Sequence, residues 1–289
     1  MRPKTKQEST LNRRAFLTGA ASLVGITAAQ ALLQPLRAQT HAVPEDPTRV
    51  PGSPPSPYGQ RATFEQAARL AGTSSSLTPL QTLHGIVTPS ALHFERHHNG
   101  VPLIDSARHR LLIHGLVERP MIFTVDDLTR FPAVSRIAFI ECSGNSAGEW
   151  RALRGQTVQQ THGLISTSEW TGVALATVLR EVGVKPTATW MLAEGSDAAA
   201  MTRSIPLAPV MEEAFLCYAQ NGEALRPEQG YPLRLLLPGW EGNTCIKWLR
   251  RLKLGTAPFM TREETSHYTD LMPDGTARQF TFVMEAKSV

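Results

Sequence analysis

The sequence predicts an α+β fold, in which strands outnumber helices. Two observations lead to this class. From residue 84 onward, short apolar runs alternate with turn-forming residues, as is typical of strands. Helical patterns are fewer, and they do not follow the strict βαβ order of a doubly wound sheet. With 289 residues, 42% of them apolar, the chain is long enough to bury a sizeable core.

The individual elements follow from these runs and from their stop signals. In the first half, the pattern predicts a weak helix over 61–72, a strand over 109–117, a short helix over 124–132 and a buried strand over 135–142. In the second half, it predicts a helix over 173–184, a strand over 187–195, a helix over 207–222 and strands over 231–239 and 245–255. Thr124 is a good helix cap, and Gly183 and the pair Asn221-Gly222 are the expected helix ends.

The N-terminus has the layout of an export signal over residues 1–40. A basic start is followed by the apolar stretch 20–33, which is too short and too rich in alanine for a good membrane span. Arg13-Arg14, followed by Phe16-Leu17, resembles a twin-arginine signal, although Asn12 stands where Ser or Thr is usual. An ordinary secretory signal is the alternative. A twin-arginine signal exports folded proteins, so it predicts a periplasmic protein with a cofactor loaded in the cytoplasm.

The remaining chain is nearly neutral. Residues 1–40 contain six basic residues and one acidic residue, which leaves 23 basic and 24 acidic residues in the rest. This balance gives no basic footprint for a nucleic acid. Residues 41–60 are rich in proline and predict an extended linker or tail before a domain over 61–289.

The chain has three cysteines, Cys142, Cys217 and Cys245, and no CxxC pair. An odd count argues against a disulfide framework. Cys142 stands alone at the end of a predicted strand, in "ECSGN", where side chains project into a site. It is a buried structural thiol, a nucleophile with a distant histidine such as His162, or the single protein ligand of a molybdenum held by a pterin dithiolene. A zinc site would need ligands that its neighbours do not supply.

Five segments resemble the sulfite oxidase family of molybdopterin enzymes and follow that family's order. They are "HFERHHNGVP" (93–102), "ECSGN" (141–145), "AEGSD" (193–197), "RSIPL" (203–207) and the long segment 218–254. The resemblance implies an α+β molybdopterin-binding fold with mixed β-sheets and short helices. It also implies a molybdenum–molybdopterin cofactor, with no haem in this chain.

The resemblance assigns roles to seven residues. They are Arg96 and Tyr268 beside the substrate, His98 and Asp197 as pterin contacts, Arg234 and Lys247 near the pterin phosphate, and Cys142 as the molybdenum ligand. On residue type alone, Arg96 is as readily a surface arginine, Asp197 a turn cap and Lys247 an edge-strand lysine.

The implied reaction is oxygen-atom transfer to a sulfur substrate, either sulfite or a carrier-bound sulfane. Electrons are expected to pass to a c-type cytochrome subunit, and a sulfur-carrier protein is a candidate partner. Ser146-Ala147 replace an arginine pair of animal sulfite oxidases, which favours a larger, protein-linked substrate over free sulfite. The family's C-terminal dimerisation domain is expected to be absent. A periplasmic sulfoxide reductase and a thiol hydrolase using Cys142 are the alternatives.

Overall fold

The computed structural model describes residues 51–150 and 156–279. The predicted export signal therefore lies outside the described residues. The chain divides into two units, Met1–Arg61 and Ala62–Val289. Residues 51–61, the described part of the first unit, are exposed and form neither helix nor strand. Within the described residues, no helix is both long enough and apolar enough to cross a bilayer.

The described part of the second unit contains fifteen strands and six short α-helices. The strands are β1 (Leu70–Ala71), β2 (Ser75–Leu77), β3 (Glu95–Arg96), β4 (Leu111–Gly115), β5 (Met121–Phe123), β6 (Ala133–Glu141), β7 (Ile165–Ala174), β8 (Trp190–Gly195), β9 (Thr202–Pro206), β10 (Phe215–Gln220), β11 (Glu223–Ala224), β12 (Arg234–Leu236), β13 (Leu249–Gly255), β14 (Thr269–Leu271) and β15 (Ala277–Gln279). The helices are α1 (Val125–Leu128), α2 (Ala147–Trp150), α3 (Val158–His162), α4 (Leu175–Val182), α5 (Leu207–Glu213) and α6 (Arg262–Ser266).

Two five-stranded sheets form the frame. The first has the order β5-β4-β13-β8-β9 and is mixed, because β4 and β13 run parallel while its other pairs are antiparallel. The second has the order β11-β10-β7-β6, with β12 also paired to β10, and is antiparallel throughout. Strands β1, β2 and β3 form a small third sheet, and β14 and β15 form a hairpin. These mixed sheets and short helices confirm the predicted α+β class.

The main apolar core joins the two large sheets and α4. Helix α4 buries Leu175, Val178, Leu179 and Val182, and all four belong to one cluster with residues of the mixed sheet. Its end at Gly183 is confirmed, since this glycine has a φ of +72° and its N–H donates to the Leu179 carbonyl. Thr124 likewise caps α1, as predicted.

A second apolar cluster lies between β6, β7, β10 and β12. Its buried members are Phe94, Ile140, Trp170, Phe215, Cys217, Leu225, Leu236 and Cys245. Cys142 packs against this cluster from its edge. The cluster therefore supports the carboxyl end of β6, where the candidate site lies.

The structure corrects three predicted elements. Residues 61–72 contain no helix and end in β1. The strand over 135–142 is not buried as a whole, because β6 is an edge strand and Ile137 is 56% exposed. Strand β13 begins at Leu249, so Lys247 precedes it and is not an edge-strand lysine.

The helix predicted over 207–222 is also wrong in its second half. Helix α5 ends at Glu213, and Phe215–Gln220 form the central strand β10, which pairs with β7, β11 and β12. Asn221 and Gly222 have φ values of +51° and +78°, and they connect β10 to β11 as a tight hairpin turn. An Asn-Gly pair between apolar runs is a strong signal of a hairpin. The helix end predicted at this pair was therefore wrong.

Candidate functional site

One cavity brings together all seven residues that the sequence singled out. Its empty space is about 720 Å³, a volume that includes the solvent at its open mouth. Its lining includes Arg96, His98, Cys142, Asp197, Arg234, Lys247 and Tyr268. These residues come from β3, from the ends of β6 and β8, from β12, and from the segments before β13 and after α6. His162, the histidine suggested as a partner for Cys142, is not among the lining residues.

The loop after β6 fixes Cys142 through Asn145. The Cys142 carbonyl accepts from the Asn145 backbone N–H at 2.9 Å. The Asn145 side chain donates to Glu141 Oε1 at 2.9 Å and accepts from the Leu164 N–H at 3.0 Å. The Gly144 N–H lies 3.5 Å from Cys142 Sγ and points a donor at the sulfur.

Burial raises the pKa of the Cys142 thiol, while the Gly144 N–H and the Arg96 guanidinium act in the opposite direction. The site therefore contains groups that favour a thiolate, but they do not outweigh desolvation. A nucleophilic cysteine needs a lowered pKa, so this environment does not suit a thiol hydrolase. A thiol that releases its proton to solvent when its sulfur binds a metal ion fits the same surroundings.

Lys247 connects the segment around Arg96 to the rest of the site. Its Nζ donates to the Arg96 carbonyl at 3.1 Å, to the Glu228 carbonyl at 3.1 Å and to His97 Nδ1 at 2.8 Å. An ammonium has three hydrogens, so protein acceptors use all of them. His97 Nε2 in turn donates to Glu95 Oε2 at 2.6 Å. The structure thus gives Lys247 a role in holding the segment around Arg96. Its place near the pterin phosphate stays a prediction.

Arg234 and Lys247 place positive charge in this wall, and burial lowers the affinity of both for protons. Burial and the charge of Arg234 lower the pKa of Lys247 to about 7. Burial also lowers the pKa of Arg234. The charge of Arg234, together with the partial charge that Lys247 carries at neutral pH, makes the cavity suitable for a ligand that carries negative charge or acceptor groups.

Arg234 is 3% exposed, and its protein hydrogen bonds are made by the two terminal nitrogens of its guanidinium. Its guanidinium donates to the Gln229 carbonyl at 3.0 Å and to the Cys245 carbonyl at 3.2 Å, and it lies 4.7 Å over the Trp170 ring. No group of the described residues accepts a hydrogen bond from its Nε. A buried donor without a partner costs free energy, so its place in the cavity wall indicates an acceptor on a ligand.

His93 is a cavity residue for which the sequence predicted no role. It is 1% exposed, and its Nδ1 donates to the Phe94 carbonyl at 3.0 Å. Burial lowers the pKa of His93 to about 3, so the ring is neutral and its Nε2 is an acceptor. Within the part of the chain that the structure describes, no donor lies within hydrogen-bond distance of this Nε2. His93 begins one of the quoted segments, but its type and position alone do not separate it from a solvated histidine.

Asp197 and Tyr268 also line the cavity. Asp197 Oδ1 accepts from the Met201 N–H at 3.0 Å, so this carboxylate also closes a turn, as its alternative interpretation expected. Tyr268 lines the same cavity as Cys142. Burial raises the pKa of Tyr268, so the phenol keeps its proton at neutral pH. His98 is exposed, and its ring lies 6.4 Å from that of His267.

The donor set fits a metal that is carried mainly by an organic cofactor. Among the described residues, no group of three or more His, Cys, Asp or Glu side chains could hold a metal ion. Two thiols line this cavity, those of Cys142 and Cys245. A buried donor, Arg234 Nε, and a buried acceptor, His93 Nε2, belong to residues of the same lining and have no hydrogen-bond partner among the described residues. A pterin presents both donors and acceptors, and a single thiolate suffices for a molybdenum that the pterin already holds.

Comparison with known proteins gives three findings. Residues 98–263 match the family model described as the oxidoreductase molybdopterin binding domain. The solved structure of the sulfane dehydrogenase SoxCD from Paracoccus pantotrophus is similar with a TM-score of 0.74 and 46% identity, covering 78% of this chain and 60% of that chain. NADH nitrate reductases from Ulva prolifera and from rice are 37% and 36% identical over 183 and 207 residues. Those matches cover 58% and 65% of this chain, but only 21% and 22% of the reductases.

Proposed function

The chain belongs to the molybdopterin-binding oxidoreductases of the sulfite oxidase family, and from this membership we propose that it oxidises a sulfur substrate by oxygen-atom transfer. The proposed substrate is sulfite or a carrier-bound sulfane. Similarity to a sulfane dehydrogenase over 78% of the chain supports the second choice. The chain spans about a fifth of the nitrate reductases and three fifths of the SoxCD chain that it matches.

The observation that carries the proposal is the Cys142 thiol at the end of β6, in a cavity whose buried polar atoms include two without a hydrogen-bond partner among the described residues. Cys245, the other lining cysteine, is 5% exposed, and its Sγ contacts the backbone N–H and carbonyl of Leu237. Cys142 would be the single protein ligand of molybdenum. Arg234 Nε would donate to the pterin, while His93 Nε2 and Asp197 would accept from it. His98 would contact its exposed edge. When bound, the molybdenum cofactor supplies the oxygen transfer and the two-electron chemistry.

The chain itself supplies charge and position. Arg96 would bind the sulfur anion, and Lys247 keeps its backbone in place through the 3.1 Å contact with its carbonyl. Ser146 and Ala147 add no positive charge, so the anion would meet one guanidinium instead of two. This arrangement suits a sulfur group whose charge is shared with a carrier protein. Tyr268 keeps its proton, and its hydroxyl would donate to the substrate or to the metal site.

A second candidate is oxygen transfer in the reductive direction, as in the sulfoxide reductase alternative. Identities of 36–37% to nitrate reductases support it, because those relatives are named for a reduction. The thiol hydrolase alternative lacks support, since the Cys142 pKa is raised and His162 does not line the cavity.

Partners and location are also part of the proposal. The similarity to SoxCD supports a c-type cytochrome subunit like SoxD as electron acceptor, and a sulfur-carrier protein as substrate partner. Arg13-Arg14 support export to the periplasm by the twin-arginine route.

The test combines metal analysis with turnover. We expect about one molybdenum per chain in protein made by a host that synthesises the cofactor. Sulfite, thiosulfate and a persulfidated carrier protein are then assayed with oxidised cytochrome c, and sulfoxide and nitrate with a reduced dye. Faster turnover of a sulfur donor supports the proposal. Turnover confined to the reduced dye favours the second candidate, and protein without molybdenum would contradict both.

A further inference from the structure

Arg203 is a fully buried arginine that the cavity lining does not include. It lies in β9 and is 0% exposed. Its guanidinium lies 4.1 Å over the ring of Tyr268, which does line the cavity. This distance is within the range of a cation–π contact, which is stronger when both groups are removed from water.

Three further contacts fix the plane of this guanidinium. Nε donates to Glu264 Oε1 at 2.8 Å, and Nη2 lies 3.4 Å from Glu264 Oε2. Glu264 is itself 0% exposed and also accepts from the Ser204 N–H at 3.0 Å. Nη1 donates to Asn243 Oδ1. The guanidinium therefore has little freedom to rotate, and the ring beneath it has a fixed platform.

Asn243 extends this platform into the cavity. It is a lining residue, and its Nδ2 donates to Glu241 Oε2 at 2.7 Å. Arg203 thus contacts two lining residues, one through a hydrogen bond and one through a ring face. An ion pair with a purely structural role would need only Glu264 as the partner of Arg203. Buried ion pairs of that kind can often be replaced by apolar side chains.

We propose that Arg203 is a positioning residue that sets the orientation of Tyr268 beside Cys142. The inference rests on the proposed function, because it gives Tyr268 a part in turnover. Arg203 acts through the ring and through Asn243, and it touches neither substrate nor cofactor. Lysine cannot replace it fully, since an ammonium lacks the planar fork that holds Glu264 and Asn243 together over the ring.

The principal test is a double-mutant cycle of Arg203→Lys with Tyr268→Phe. With molybdenum content unchanged, we expect Arg203→Lys to lower kcat about ten- to hundredfold, as misplacement of an active-site group does. In the Tyr268→Phe background, the same change should lower kcat less than about twofold, because no hydroxyl remains to be misplaced. Arg251→Lys, a matched change in a more exposed ion pair with Glu194, should leave kcat unchanged. Independent, multiplying losses would overturn the inference, as would a loss of molybdenum that accounts for the whole effect.

A second measurement reads the ring without turnover. The chain has four tyrosines, so NMR of protein with 13C-labelled tyrosine rings gives few signals, and Tyr268→Phe identifies the one from Tyr268. Arg203→Lys should shift that signal and Arg251→Lys should not. An unmoved signal in Arg203→Lys would overturn the inference even if the enzyme is inactive.

If Arg203→Lys fails to fold, the paired change Arg203→Met with Glu264→Gln leaves no buried charge without a partner and is measured in the same way. If Arg203→Lys shifts the Tyr268 signal but the wild-type protein binds no molybdenum, the result counts against the proposed function only.

Discussion

We expect the imidazole of His93 to make the folded protein sensitive to acid. The ring is 1% exposed, and burial lowers its pKa from 6.5 to about 3. The unfolded chain therefore binds a proton at this residue more readily than the folded chain. The contribution to stability is complete above pH 6.5 and is lost progressively as the pH falls toward 3. From these two pKa values, the loss between about pH 7 and about pH 4 is on the order of 3 kcal/mol.

The perturbation that removes this effect is His93→Asn. The amide nitrogen of asparagine can still donate to the Phe94 carbonyl, as imidazole Nδ1 does at 3.0 Å. The free energy of unfolding of the variant should then fall by about 3 kcal/mol less than that of the wild type over the same pH range. Urea unfolding at matched cofactor content measures it, and His84→Asn, at an exposed imidazole, should follow the wild type. Parallel losses in wild type and His93→Asn would refute the burial argument.

Three other predictions concern the anion site and export. Arg96→Ala should keep its molybdenum and lose about ten- to hundredfold in kcat/KM, the cost of a charge-assisted hydrogen bond, and Arg96→Lys should recover part of it; normal kinetics would contradict this. Lys247→Met should release the Arg96 carbonyl and raise KM severalfold at constant molybdenum content, whereas a loss of molybdenum would assign Lys247 to the cofactor. Replacing Arg13-Arg14 by Lys-Lys should retain the folded protein in the cytoplasm, as fractionation and metal analysis would show; periplasmic, molybdenum-containing protein would refute the twin-arginine assignment.

The family and the α+β class could be predicted from the sequence, because local motifs and turn signals carry both. "ECSGN" and the other segments are short and keep their order, and helix ends such as Gly183 depend on local backbone geometry. The error at Phe215–Gln220 has a physical cause. Its apolar run fits a helix or a strand equally, and only pairing with β7 and β12 decides.

The detailed roles in the site could not be read in the same way, because they depend on distant contacts. The contacts of Lys247 with Arg96 and His97 could not be predicted, because these partners lie about 150 positions earlier in the chain. Arg203 begins the quoted segment "RSIPL", but its role could not be predicted, since its partners Asn243 and Tyr268 come from a turn and a segment beyond β13. The neutral state of the His93 ring also follows from its burial, and burial cannot be predicted from the residue type alone.

The central claim is that Cys142 is the one protein ligand of a molybdenum held by a pterin. X-ray absorption at the molybdenum edge, on wild type and Cys142→Ser at known metal content, tests it most directly by counting sulfur neighbours. The account predicts three sulfur neighbours in the wild type, two in Cys142→Ser, and loss of turnover in the variant while the fold is retained. Equal sulfur counts in both proteins, or full turnover by Cys142→Ser, would contradict it.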